Sequence, residues 1–212
     1  MEIPSAIFVT GTSTGIGKTL ISAVLTEALG ADYWKPVQAG NLDNTDSHLV
    51  RKLVTSSAHV HPETYRLLKA SSPHIAAREE GVRVSLERIV ESVPDTHGRP
   101  LVIEGAGGLL VPLNQDEFVA DLIIRLKIPV VLVSRNVLGS INHSMLTALA
   151  CREKNIPVLG WIFNDDYLDY DEEIVGWSGY PKLASIPFTK NPDRAFVVEQ
   201  ADRLRKDLTA SI

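Results

Sequence analysis

Residues 11–19 read GTSTGIGKT. They lie between the short apolar run at 6–10 and a segment with apolar residues at Leu20, Ile21, Val24, Leu25, Ala28 and Leu29. The run reads as a buried parallel strand, the spacing as an amphipathic helix over 18–29, and Gly30 as its C-cap. Consecutive backbone N–H groups in a glycine-rich turn can surround a phosphate chain, and the N-terminus of the next helix adds free donors and a favourable dipole. Lys18 then reaches the terminal phosphates, and the Thr19 hydroxyl ligates magnesium. The strict pattern GxxxxGK[ST] is not met, because its first glycine would fall at Thr12 and Gly11 lies one residue earlier. The reading is an ATP or GTP loop, with an ordinary glycine-rich turn as the alternative. A dinucleotide loop needs neither Lys18 nor Thr19.

A nucleotide site also needs carboxylates to hold magnesium. Glu104 ends the apolar run PLVIE and is followed by Gly105, Gly107 and Gly108. It reads as a metal ligand, or else as a local cap or ion pair. Asp46, in NLDNTDSHL, stands at a helix start, where aspartate is commonly an N-cap; metal binding is the other reading. Lys35, in WKPVQAG, ends a second strand beside the phosphate loop and is either functional or a solvated edge lysine. Lys18 and Lys35 together suit a reaction that builds negative charge on a transferring phosphate.

The elements that must carry these residues alternate. A short strand is expected within 31–37, ending at Lys35 and Pro36, and further strands at 100–104, 129–134, 158–163 and 183–186. Helices are expected at about 46–54, 85–93, 119–126, 140–154 and 193–208. Leu86, Ile89, Val90 and Val93 would face inward, and Asn114 or Asp116 would cap the helix at 119. Residues 55–73 are rich in Ser, His and Pro and predict loops and short helices. Apolar strands flanked by helices imply an α/β fold, a mainly parallel central sheet with helices on both faces, of the P-loop NTPase type. Ligand sites gather at the carboxyl ends of such strands, where Thr10, Lys35, Glu104, Ser134 and Asn164 fall.

The 212 residues suit one domain spanning 1–212. With 21 basic and 26 acidic side chains, the net charge of −5 gives no general attraction for nucleic acid or an anionic membrane. The apolar runs are strand-sized, short of the ~20 residues of a membrane helix. No positively charged leader precedes the first apolar run, so a soluble, cytoplasmic protein is expected. The single cysteine, Cys151, excludes an intrachain disulfide and reads as a buried filler, with a catalytic thiol as the alternative. The six histidines lack zinc-site spacing.

Beyond the loop, the motifs KPVQAG, NTDSHL, SSPHIAA, EGAGGLLVPL, NVLGSINHSMLTA, GWIFND and SIPF follow in order. Together they resemble the dethiobiotin synthetase family over essentially the full length. The resemblance implies a homodimeric enzyme of biotin synthesis that joins CO2 to 7,8-diaminononanoate with ATP and Mg2+. It places Gly15, Ile16, Gly17, Lys18 and Thr19 on the nucleotide phosphates, and Thr19, Asp46 and Glu104 on the metal. Lys18 and Lys35 would stabilise carbamate and phosphate oxygens, with Thr14 at the substrate's reacting end. Asn164 would read adenine, with Pro187 and Phe188 beside the base. Gly107, Gly108 and Leu109 would wall the diamine. Gly139, Ser140 and Asn142, from the neighbouring subunit, would hold its carboxylate. His143 and His74 receive no acid–base role.

Several positions depart from the family's pattern. Ala39 stands where better-known relatives have serine, Gly15 where some have glutamate, and Lys190 near where some have an acidic residue beside the ribose. Ser13 stands where the partitioning-type ATPases of the same branch carry an extra lysine. A partner-switching ATPase, or another ATP-dependent ligase or kinase on the same fold, remains the rival reading.

Overall fold

Apolar side chains that alternate along each strand decide where the two cores lie. A computed structural model describes residues 4–55, 58–165 and 169–210, the last three without side-chain detail. The elements run β1 (Ala6–Gly11), α1 (Lys18–Leu29), β2 (Asp32–Trp34), β3 (Val37–Ala39), a 3-10 turn at Leu42–Asn44, α2 (Asp46–Leu53), β4 (Tyr65–Leu67), α3 (Pro73–Glu79) and α4 (Leu86–Glu91). They continue β5 (Leu101–Glu104), α5 (Val119–Leu126), β6 (Val130–Arg135), α6 (Ser140–Glu153), β7 (Val158–Asn164), α7 (Asp171–Ser178), β8 (Lys182–Ile186) and α8 (Arg194–Ala210).

Six strands pair in parallel in the order β2-β5-β1-β6-β7-β8. Ile7, Val9, Tyr33, Val102, Val131, Val133 and Ile162 face one core, shared with α1, α2 and α8. Their neighbours Phe8, Trp34, Leu101, Ile103, Leu132, Trp161 and Phe163 face the other, shared with α3 to α7. A parallel sheet buried on both faces needs such near-continuous apolar strands. From central β1 the chain builds β2 and β5 on one side and β6 to β8 on the other. The carboxyl end of β1 is therefore the point where the connections diverge, the usual place for a ligand crevice.

The mainly parallel sheet and both helical layers agree with the sequence expectation, as does Gly30, which closes α1 at φ 58°. The second strand lies within 31–37 as expected and stops at Trp34, ahead of Pro36, which has no N–H to continue a ladder. Three local expectations fail. Val37–Ala39 then pairs with Tyr65–Leu67 as a separate two-stranded sheet, inside the stretch expected to hold loops and short helices. In α4, Leu86 and Ile89 are buried, but Val90 is exposed on the helix, and Val93 is exposed beyond it, because the helix ends at Glu91. At α5 the cap is neither Asn114 nor Asp116. Phe118 precedes the helix and donates its N–H to Asp121 Oδ2 at 2.8 Å, while Asn114 Oδ1 accepts from Asp116 and Glu117 N–H in the turn before it. Helices α3 and α7 add elements that the sequence pattern did not mark.

Among the described residues, no helix is long and apolar enough to cross a membrane. Cys151 is fully buried in α6, and burial pushes its thiol up to about 12. Only the thiolate reacts with a disulfide reagent. Titration with Ellman's reagent at pH 8 is expected to find no reactive thiol in the folded protein and one equivalent after unfolding in guanidinium. Prompt labelling of the native state would contradict this packing.

Candidate active site

The loop between β1 and α1 carries the first cluster. Gly17 is the residue before α1, with φ 94° and no side-chain cap, so the first helical N–H groups stay available to a ligand. Lys18 is 7% exposed, and its Nζ donates to the Ser13 carbonyl at 2.7 Å across the loop. Burial pushes its ammonium down to about 8; Glu104 and Asp46 oppose that shift and Lys35 adds to it.

Glu104 carries the second cluster. Tyr33 is in register with Val102, so Glu104, two residues on, lies on the same side of the sheet. Its Oε1 accepts from Thr19 Oγ1 and from Lys35 Nζ, both at 3.0 Å, and its Oε2 accepts from the Tyr33 hydroxyl at 2.9 Å. Lys35 Nζ also meets Asp46 Oδ2 at 2.9 Å. Burial pushes the Lys35 ammonium down, but Glu104 and Asp46 more than offset it and the net shift is upward. Burial raises the Asp46 carboxyl, yet Lys35, with Thr19 and Lys18, brings it below its ordinary value. With Lys35 at 5% and Glu104 at 1% exposure, this ion pair is almost fully desolvated, and such pairs are weak contributors to stability. Their clustering at the mouth of a nucleotide-type loop points to chemistry instead.

The N-cap reading of Asp46 is ruled out by its neighbour. Thr45 is the N-cap of α2: its hydroxyl accepts from His48 N–H at 3.2 Å, and its own N–H donates to His48 Nδ1 at 3.3 Å. Capping is thus done without the Asp46 carboxylate, which turns to Lys35. Lys35 is likewise no solvated edge lysine.

A cavity of about 450 Å³ opens beside this cluster, lined by Thr14, Lys35, Gln38, Ala39, Asp46 and Gly107 among others. Thr14 also lines a second cavity of about 300 Å³, with Gly108, Leu109, His143 and Thr147. Gly108 allows the turn after β5 to approach the loop, since a Cβ there would stand 3.1 Å from the Gly11 carbonyl. Gly139, Ser140 and Asn142 are not among the residues lining either cavity.

Asn164 ends β7 and donates its amide to the Ile16 carbonyl at 2.8 Å, so it braces the phosphate loop. Arg135, its partner in register, pairs with Asp165 at 3.2 Å and lies 5.6 Å above the half-exposed ring of Phe188. Sequence reading passed over Arg135 and Tyr33. Arg135 is a charge at the carboxyl end of an apolar strand, a signal available beside Ser134. Tyr33 is two residues before Lys35, and strand alternation alone would have put both on one face.

Thr19, Asp46 and Glu104 offer only oxygen donors, as magnesium prefers. Two of them already share one cation, the Lys35 ammonium, so their spacing fits a single ion. Among the described residues no group of three or more His, Cys, Asp or Glu could hold a metal.

Gly17 joins the loop to the far side of the crevice. An added Cβ would lie 2.1 Å from Asn164 Nδ2, at a left-handed φ. Gly17→Ala is expected to destabilise the fold by roughly 1–3 kcal/mol in urea unfolding and to abolish ATP binding by calorimetry. Unchanged binding would show that the loop tolerates displacement of Asn164.

The AAA domain family model matches residues 5–195. The ATP-dependent dethiobiotin synthetase BioD of Cytophaga hutchinsonii is 49% identical over 201 residues, covering 92% of this chain and 96% of that protein. That of a Bradyrhizobium species is 49% identical over 184 residues, covering 86% and 87%. Among solved structures, the cell division ATPase MinD of Pyrococcus furiosus has a TM-score of 0.60 at 16% identity, covering 96% of this chain and 99% of that one. A ParA family ATPase of Chlorobium tepidum has a TM-score of 0.58 at 16% identity, covering 98% and 93%. Those two likenesses establish a P-loop NTPase fold. Identity near one half along almost the entire length goes further, and the chain belongs to the ATP-dependent dethiobiotin synthetase family.

Proposed function

We propose that this chain converts 7,8-diaminononanoate, CO2 and ATP to dethiobiotin, ADP and phosphate, with magnesium required. The observation that carries the reading is the convergence of Lys18, Lys35, Thr19, Asp46 and Glu104 beside a cavity of about 450 Å³ that reaches Thr14.

One substrate amine adds to CO2 and loses a proton, giving a carbamate. A carbamate oxygen attacks the γ-phosphorus of ATP as the bond to ADP breaks, and a carbamic-phosphoric anhydride forms. The second amine attacks the carbonyl carbon, phosphate leaves, and the cyclic urea closes. The protein's share is alignment and charge neutralisation. Gly15, Ile16 and Gly17 present backbone N–H groups to the phosphates, and Lys18 reaches their terminal oxygens. Lys35, at the cavity wall, meets the carbamate, and Thr14 lies between the two cavities at the reacting end. Gly107, Gly108 and Leu109 bound the chain of the diamine. Thr19, Asp46 and Glu104 would hold magnesium, which neutralises phosphate charge when bound. Asn164, Pro187 and Phe188 flank the base. Asn164 is fixed by the loop at one amide group and retains its carbonyl oxygen for adenine.

A homodimer belongs to the same reading. Leu110 and Leu146 border the smaller cavity and are 53% and 56% exposed, and Leu138 beside α6 is 90% exposed. A second copy would cover such apolar surface and bring its own Gly139, Ser140 and Asn142 to the substrate's carboxylate at a helix N-terminus. The whole chain acts as one domain in this scheme. Its single buried thiol suits a reducing, cytoplasmic setting.

The direct test supplies ATP, magnesium, labelled bicarbonate and 7,8-diaminononanoate, with products read by mass spectrometry. Labelled dethiobiotin with matching ADP and phosphate is expected. Nucleotide binding without a cyclic product would overturn the assignment in favour of another substrate or a switching ATPase. Removing the phosphate-facing charge by Lys18→Gln should lower kcat about 10²-fold or more, in a variant whose melting temperature is little changed. An unaltered kcat would remove Lys18 from the reaction.

A further inference from the structure

Tyr33 has a place in the site that the proposed chemistry does not use. Its ring is fully buried in the core under α1, yet its hydroxyl leaves that core to donate to Glu104 Oε2 at 2.9 Å. The two oxygens of Glu104 are thereby made unequal. Oε1 accepts from Thr19 and Lys35, and so faces the loop and Asp46; Oε2 faces the sheet and Tyr33. The terminal torsion of a glutamate is soft, so nothing intrinsic to the side chain fixes the tilt of its carboxylate. Tilting the carboxylate away from Tyr33 would strand a buried acceptor without its donor, at the desolvation cost of that group.

We infer that Tyr33 is a positioning residue for the magnesium site: its hydroxyl pins Glu104 Oε2, leaving Oε1 as the oxygen presented to the ion beside Thr19 and Asp46. This rests on the proposed metal role of Glu104. Outer-shell hydrogen bonds of this kind orient ligands and set their affinity for the ion. Here the partner is a neutral phenol on the edge strand, so it fixes the geometry without adding a charge.

Tyr33→Phe removes the hydroxyl and keeps the ring. Tyr65→Phe is the matched control, since Tyr65 is also buried and its hydroxyl accepts from Ser85 N–H at 3.0 Å in the other core. Mn2+ is titrated into each ADP-bound protein and free Mn2+ is read by electron paramagnetic resonance, with near-ultraviolet circular dichroism confirming the fold. Tyr33→Phe should raise the Kd for Mn2+ about tenfold, with the Mg2+ half-saturation of turnover rising in parallel, while Tyr65→Phe leaves both unchanged. Unchanged Mn2+ affinity in Tyr33→Phe, or equal weakening in both variants, would overturn the inference and leave the metal role of Glu104 standing. Failure of the unaltered ADP-bound protein to bind Mn2+ would remove that role, and the inference with it.

Discussion

A carboxylate taken out of water must be met by donors or charge on every side, and Glu104 imposes that demand on its surroundings. At 1% exposure it is met by Thr19 at the start of α1, Tyr33 in β2 and Lys35 just after it. Lys35 carries the connection on to Asp46 at the start of α2. The start of α1, strand β2 and the segment after it are thus fastened to one side chain at the end of β5. Leaving Lys35 out would strand a buried charge, which is far more costly than the intact pair is stabilising. The cluster is also close to charge-balanced, with Lys18 and Lys35 against Asp46 and Glu104. An incoming phosphate chain disturbs that balance unless a cation accompanies it, which is a physical reason for nucleotide and divalent ion to bind together.

The sheet makes this arrangement possible through register. Parallel pairing brings the ends of β1, β5 and β2 to one edge, and period-two alternation sends Tyr33 and Glu104 toward the α1 side while Trp34 and Ile103 fill the other core. Gly105 then follows directly over Phe8, where a Cβ would come within 2.7 Å of the ring. The turn after β5 can therefore lie flat on the core and approach the phosphate loop through Gly108. Placement of the polar cluster depends on a close-packed apolar layer beneath it.

Where one residue type has one dominant local use, the sequence was easily read. The GKT loop, the apolar strands and the Gly30 stop all fall in this class, and the structure has them in the expected places. Asp46 was ambiguous because an aspartate at a helix start can cap or coordinate. The cap reading falls only because Thr45 and His48 cap each other, a box with histidine in place of the usual glutamate or glutamine. Three-residue strands such as Tyr65–Leu67 give too little alternation to separate from a loop, and their pairing to Val37–Ala39 is a long-range fact. In α7, DEEIVGWS has Ile174 as its only fully buried apolar residue, so no helical stripe shows. Val93 misled for the opposite reason: the apolar spacing continued past the end of α4.

The fold shared with MinD and ParA at 16% identity accounts for a phosphate loop on a parallel sheet, and for little beyond it. The cavity wall of this chain lies in the stretch between β2 and α3. Pro36 stops the edge strand, β3 turns away to pair with β4, and the resulting small sheet stands beside the main one. Val37, Gln38 and Ala39 from that sheet and Ala70 to Pro73 after it form one wall of the cavity whose other wall is Thr14 and Gly107. Gln38 stiffens the wall by donating to the Gly40 carbonyl and accepting from Asp46 N–H. The same amide therefore links the cavity wall to the helix start that carries the carboxylate. A small molecule seated against β3 is consequently in mechanical contact with the cation cluster. In the proposed reaction, that contact would let the second substrate be positioned relative to the phosphate it attacks.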